Sequence, residues 1–115
     1  MKSKFFTFFF ILSTIIYCIA CSSSPSKRVK EIIDRTEEIV VYPPRAHEAY
    51  NYICEAMSKE HSLSKADEMA LTLMKIRAKD KCEDLGATSD SIKDVVKYYE
   101  KNGDSNQKMM AYYYM

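Results

Sequence analysis

The chain has 115 residues, 17 basic and 16 acidic side chains and a formal charge of +1. That balance leaves no electrostatic footprint for nucleic acid. Two glycines cannot build a phosphate cradle or a nucleophile elbow. Plentiful Ala, Glu, Lys and Met favour helices instead, because those side chains lose little rotamer freedom there.

The first element in chain order is a targeting segment. Met1-Lys2-Ser3-Lys4 is a short basic head, and Phe5 to Ala20 is almost wholly apolar. No charge falls between Lys4 and Lys27. A basic head, an apolar run and small residues at its end make a secretory signal. The run closes on Cys18-Ile19-Ala20-Cys21 and is followed by Ser22-Ser23-Ser24-Pro25. This resembles the lipobox of bacterial lipoproteins, with Cys18 standing where Leu is usual. The resemblance implies a diacylglyceryl group on the Cys21 thiol and cleavage after Ala20. It also implies attachment to a membrane through that lipid, since two or more acyl chains hold stably where one does not. Serine after the cysteine, with no acid before Glu31, points to the outer membrane, facing the periplasm. A retained membrane helix fits less well. Sixteen residues rise ~24 Å, short of a hydrocarbon core of ~30 Å.

Residues 1–20 therefore read as the signal and 21–26 as the lipidated cysteine with a polar tether. Residues 27–104 read as a helical domain and 105–115 as an apolar Tyr/Met tail. Losing Lys2 and Lys4 with the signal leaves 15 basic against 16 acidic residues, a charge of −1. The expected fold is an all-α bundle of three to four short helices, each with one buried face.

Helix one is predicted from Lys27 to Val41, capped by Ser24 or Ser26, with Val29, Ile32, Ile33, Thr36, Ile39 and Val40 on one face. Pro43-Pro44 ends it, because the residue before proline avoids the helical region. Helix two is predicted from Pro44 to Lys59 on a stripe of Ala46, Ala49, Tyr50, Ile53, Ala56 and Met57. Ser64 with Asp67 reads as a variant capping box for helix three, Lys65 to Asp84. Its stripe is Ala66, Met69, Ala70, Leu73 and Ile76, with Met74 beside it. Leu85-Gly86 supplies a stop. Ser89 caps helix four, Asp90 to Lys101, with Ile92, Val95, Val96 and Tyr99 inward.

Cys54 and Cys82 form the candidate disulfide, expected in an oxidising compartment. Closing that loop would stabilise by ~3.5 kcal/mol if unstrained. A straight antiparallel hairpin about Ser62 puts Cys54 ~12 Å and Cys82 ~30 Å from the turn, against a Cα limit of ~7 Å. Pairing thus requires helix three to break before Cys82 or the helices to cross steeply. Otherwise the thiols stay apart.

Chemistry is sparse. His47, Cys54 and His61 are spaced by seven, ~10.5 Å per step on a helix, too far for one zinc with bonds of ~2.0–2.3 Å. His47-Glu48-Ala49-Tyr50-Asn51 begins like a zinc-protease helix, but Asn51 replaces the second histidine. Cys18 and Cys21 have redox spacing but sit at the cleavage site. Glu37-Glu38 and Glu83-Asp84 read as solvated helix faces beside lysines. The expectation is a protein that is not an enzyme and holds no metal or cofactor.

What remains is surface. Tyrosine joins a large apolar body to a polar tip, which suits interfaces. Tyr112, Tyr113, Tyr114 and Met115 are the candidate interaction surface, although the tail is expected to pack back on the bundle. The leading functional expectation is a membrane-tethered interaction module with an envelope protein partner, an accessory subunit of an envelope or secretion assembly. The alternatives are a carrier of a small apolar ligand, with a cavity lined by Met57, Met69, Leu73, Met74 and Tyr99, and an immunity or exclusion lipoprotein.

Overall fold

Ser26 starts the fold. Its side chain accepts from the Val29 N–H at 3.4 Å and caps helix α1, Lys27–Val40. The structure is a computed structural model describing residues 24–82 and 91–115. The predicted signal 1–20, Ala20 and Cys21, the Leu85-Gly86 stop and the Ser89 cap lie outside the described residues. Among the described residues the chain is all-α, with helices α1, α2 (Ala46–Ser58), α3 (Lys65–Lys81), α4 (Ser91–Asn102) and α5 (Ser105–Tyr113).

Helix α1 lacks the charges its ends call for. Its first turn contains no acid and its last turn no base, so Lys27 and Arg28 sit against the positive end of the helix dipole. The missing acid comes from elsewhere. Asp67, in the first turn of α3, accepts the Ser26 backbone N–H at 2.7 Å across 41 residues. Its own N–H meanwhile donates to Ser64 Oγ at 3.1 Å. The capping box expected within α3 is thus split. Ser64 caps α3 as predicted, but the Asp67 carboxylate serves α1. One largely buried acid lies at two helix N-termini.

That shared acid makes α1 and α3 parallel. A second contact with nearly the same offset, Arg77 to Glu37 across 40 residues, holds the register ten residues further up α3. Helix α2 returns antiparallel between them. Arg28 at the start of α1 pairs with Glu60 just beyond α2 at 2.7 Å. Thr36, fully buried on α1, satisfies its hydroxyl by donating to the Ile32 carbonyl at 2.8 Å. Pro43–Arg45 forms a 3₁₀ turn, so α2 begins at Ala46 and not at Pro44.

Helix α3 is the centre of the molecule. Met69, Leu73 and Ile76 pack with Ile92, Val95, Val96 and Tyr99 of α4, and with Ala111 and Tyr114. Leu71, Met74 and Ala78 pack with Val29, Ile39 and Val40 of α1 and Ala49 and Ile53 of α2. At ~100° per residue these two triplets lie about 170° apart. The expectation of one buried face per helix fails here, because α3 has neighbours on opposite sides. Leu71, fully buried, belongs to the stripe that a single-face reading omits.

Two boundaries also differ. Helix α3 stops at Lys81, with Cys82 extended at φ −93 and ψ 91. The tail is a fifth helix. Asp104 and Gln107 form a full capping box, Gln107 N–H to Asp104 Oδ1 at 2.8 Å and Asp104 N–H to Gln107 Oε1 at 2.9 Å. Gly103 makes the tight link into it. A Cβ there would stand 2.8 Å from the Tyr99 carbonyl oxygen, so even alanine forces the link open.

Replacing Asp67 by Ala strands the Ser26 N–H and removes the carboxylate that caps the α1 N-terminus. We expect a loss of about 1–3 kcal/mol in urea unfolding, with Asp67→Asn recovering part of it. A loss under about 0.3 kcal/mol would show that the shared cap is incidental.

Candidate functional site

Between its two packed faces α3 carries a third strip, Ala70, Leu73, Met74 and Arg77. These residues floor a groove of about 260 Å³. Ile33 and Glu37 of α1 form one wall, while Gln107 and Met110 of α5 form the other. Pro25 closes the end nearest the Ser26 cap. Gln107 shares the groove with Pro25 and Ala70, whereas Tyr114 interacts with Arg77 and Asp80. Helix α5 therefore runs parallel to α3, and α1, α3 and α5 all point the same way.

A second cleft of about 330 Å³ continues the groove. It is lined by Arg77, Lys81, Met109, Met110, Tyr113 and Tyr114, and shares Arg77 and Met110 with the first. The two parts differ in chemistry. The first is apolar with one carboxylate, Glu37. The second has two cations and two phenols and no acid in its lining.

Arg77 sits at the junction. Its guanidinium pairs with Glu37 on one side and meets the Tyr114 hydroxyl on the other. Burial pushes the Tyr114 hydroxyl up from its ordinary value and Arg77 pulls it back. Tyr99, which lines the apolar part, is pushed up to about 12, chiefly by burial and secondarily by Tyr98 and Asp104. On the outside of the bundle Tyr112 donates to Glu100 Oε1 at 2.5 Å, which raises its hydroxyl above the usual range.

The candidate surface residues separate. Tyr113 and Met115 are exposed, at 73% and 69%, and Tyr112 is 48% exposed. Tyr114 is buried at 7% and belongs to the core, where its ring meets that of Tyr113 edge-on at 4.8 Å. The helical spacing of α5 turns Ala111 and Tyr114 inward together and leaves Tyr112 and Tyr113 outside. Val41 and Tyr42, just past α1, are also exposed. Because α1 and α5 run parallel, Val41, Tyr42, Tyr113 and Met115 lie at the end of the bundle opposite Ser26.

Cys54 and Cys82, the candidate disulfide pair, are not bonded to each other in this structure. Both thiols lie close enough to Tyr50 to act on its hydroxyl. Cys54 sits within α2 and hydrogen-bonds Tyr50, raising that hydroxyl, while Cys82 is buried at the α3 terminus. Of the five residues predicted to line a cavity, Leu73, Met74 and Tyr99 line the groove. Met57 lines a separate cleft with Tyr50 and Thr72, and Met69 is core. Glu37 and Glu38 were expected together on a solvated face. Glu38 does pair with Arg35 on the surface, but Glu37 turns to Arg77. Among the described residues no group of three His, Cys, Asp or Glu side chains is placed to hold a metal. Among them no helix is long and apolar enough to cross a membrane.

Arg77 is the site residue that the sequence reading missed. Its signal was a lone arginine on an otherwise apolar strip of α3, one turn beyond Leu73. No protein-family model matches the chain, and neither the curated proteins nor the solved structures contain a match.

Two outcomes follow from the groove chemistry. Unfolded Tyr99 ionises near its ordinary 10.0 and folded Tyr99 near about 12. The stability it contributes is therefore complete below pH 10 and is lost as pH rises toward 12. Melting temperature should fall between about pH 10 and about pH 12, and fall less in Tyr99→Phe. Equal falls would contradict burial as the cause. For the ion pair, a double-mutant cycle of Glu37→Gln with Arg77→Gln should give a coupling of about 0.5–1 kcal/mol, since Glu37 is half-exposed. Zero coupling would mean that solvent screens the pair completely.

Proposed function

We propose that this protein is a small lipoprotein of a bacterial cell envelope, tethered through Cys21. It acts there as a non-enzymatic protein-interaction module, an accessory subunit of an envelope or secretion assembly at the periplasmic face of the outer membrane. The observation that carries this reading is the position of the exposed Tyr and Met residues. Val41, Tyr42, Tyr113 and Met115 stand at the end remote from Ser26, five residues beyond Cys21. A tether entering beside the Asp67 cap would hold the opposite end away from the membrane. Large amphipathic side chains presented there suit a protein partner, since Tyr and Met contribute much contact area at interfaces. Immunity or exclusion against an incoming toxin is one form such an interaction can take.

A second reading has its own observation. The apolar groove over Leu73, Met74 and Tyr99 supports carriage of a small apolar molecule.

The test is crosslinking in cells of the native protein, a Cys21→Ser form, and a Tyr113→Ser/Met115→Ser form. The expected result is incorporation of a labelled fatty acid into all but Cys21→Ser. Capture of one envelope protein should be strong with the native chain and lost with the Tyr113/Met115 variant. Capture that survives the surface change would move the interface elsewhere, and unlabelled native protein would remove the anchor.

A further inference from the structure

The groove and its continuation differ in polarity along one line, and that difference selects a ligand class. Resting on the carriage reading, we infer that the α1–α3–α5 groove binds a single-chain anionic amphiphile. Its alkyl chain lies on Ala70 and Met74, and its head group meets Lys81 and Arg77.

Three observations fix the assignment. The floor is apolar from Ala70 to Met74, with Ile33 and Met110 as walls, so a chain buried there gains ~0.8 kcal/mol per methylene. The far end is lined by Arg77, Lys81, Tyr113 and Tyr114, with no acidic residue in that lining. Two cations and two phenols line that end, with Arg77 also paired to Glu37 and Asp80 near Tyr114, and an oxyanion is the group that accepts from such donors. Glu37, the one acid of the lining, is already held by Arg77 and so does not repel the head group unopposed.

Length agrees with the chemistry. Ala70 and Lys81 are eleven residues apart on one helix, an axial distance of ~16.5 Å. With C–C bonds of ~1.5 Å an extended chain advances ~1.25 Å per carbon and covers that distance with about thirteen carbons. The Pro25 end of the groove lies beside the proposed tether, so a chain enters from the side where the anchored protein meets the membrane.

The experiment uses the full chain in nanodiscs of net-neutral phospholipid. The probes are tetradecanoic acid and tetradecanol, each with a diazirine near mid-chain, followed by irradiation and peptide mass mapping. The acid is expected to label Ile33, Met74 or Met110. Lys81→Glu, a change at an exposed position, should lower that labelling about tenfold, the worth of one hydrogen bond to a charged head. The same substitution should leave tetradecanol labelling unchanged. Equal labelling by acid and alcohol in the native chain overturns the anionic class and leaves carriage standing. Labels confined to residues outside α1, α3 and α5 overturn both. A Lys81→Glu form that labels as the native chain does overturns the placement of the head group.

Discussion

The carboxylate of Asp67 is the constraint on which the arrangement depends. Parallel neighbouring helices bring two positive dipole ends together, and α1 adds Lys27 and Arg28 to the same region. An acid placed between them resolves both problems at once. It satisfies the Ser26 N–H at 2.7 Å and stands in the first turn of α3. Because hydrogen bonds to a charged acceptor are short and directional, this contact also sets the axial position of α1 on α3. The Glu37–Arg77 pair repeats nearly the same offset higher up. Two polar contacts thus specify a register that apolar packing alone leaves free to slip.

From that register the groove follows. Helix α1 occupies one side of α3, while α4 and α5 occupy the other. Their facing walls leave a groove between them, floored by Ala70, Leu73 and Met74. Ala70 is the small residue that keeps the floor deep. Arg77 ties both walls to the floor, through Glu37 on α1 and Tyr114 beyond α5. The groove therefore owes its depth to apolar side chains and its spacing to one guanidinium. This is a common division of labour in binding sites, where a few polar groups orient what an apolar surface holds.

The C-terminal segment shows how capping decides between tail and helix. Nine residues are too few for a stable isolated helix. The Asp104–Gln107 box satisfies two orphan N–H groups, and Ala111 and Tyr114 dock into the core beside Tyr99. Gly103 allows the close turn that points the segment back up α3. The outward residues, Tyr113 and Met115, are then left exposed by geometry and not by lack of structure.

The sequence by itself determined the helical class, the four internal segments within a few residues, and the inward faces of α1, α2 and α4. Those features are local, because a single apolar stripe at helical spacing needs only one neighbour to bury it. The Asp104-Ser105-Asn106-Gln107 cap was equally local and open to the same reading. Tertiary structure alone decided the rest. Whether Asp67 closes a box on its own helix or reaches across 41 residues depends on where α1 lies. The second buried face of α3, with Leu71 at its centre, becomes visible only when neighbours stand on both sides. Arg77 and Glu37 are forty residues apart in the chain and meet only through that parallel register. Patterns written within one turn of helix are legible residue by residue, whereas contacts between helices depend on how every other face is packed.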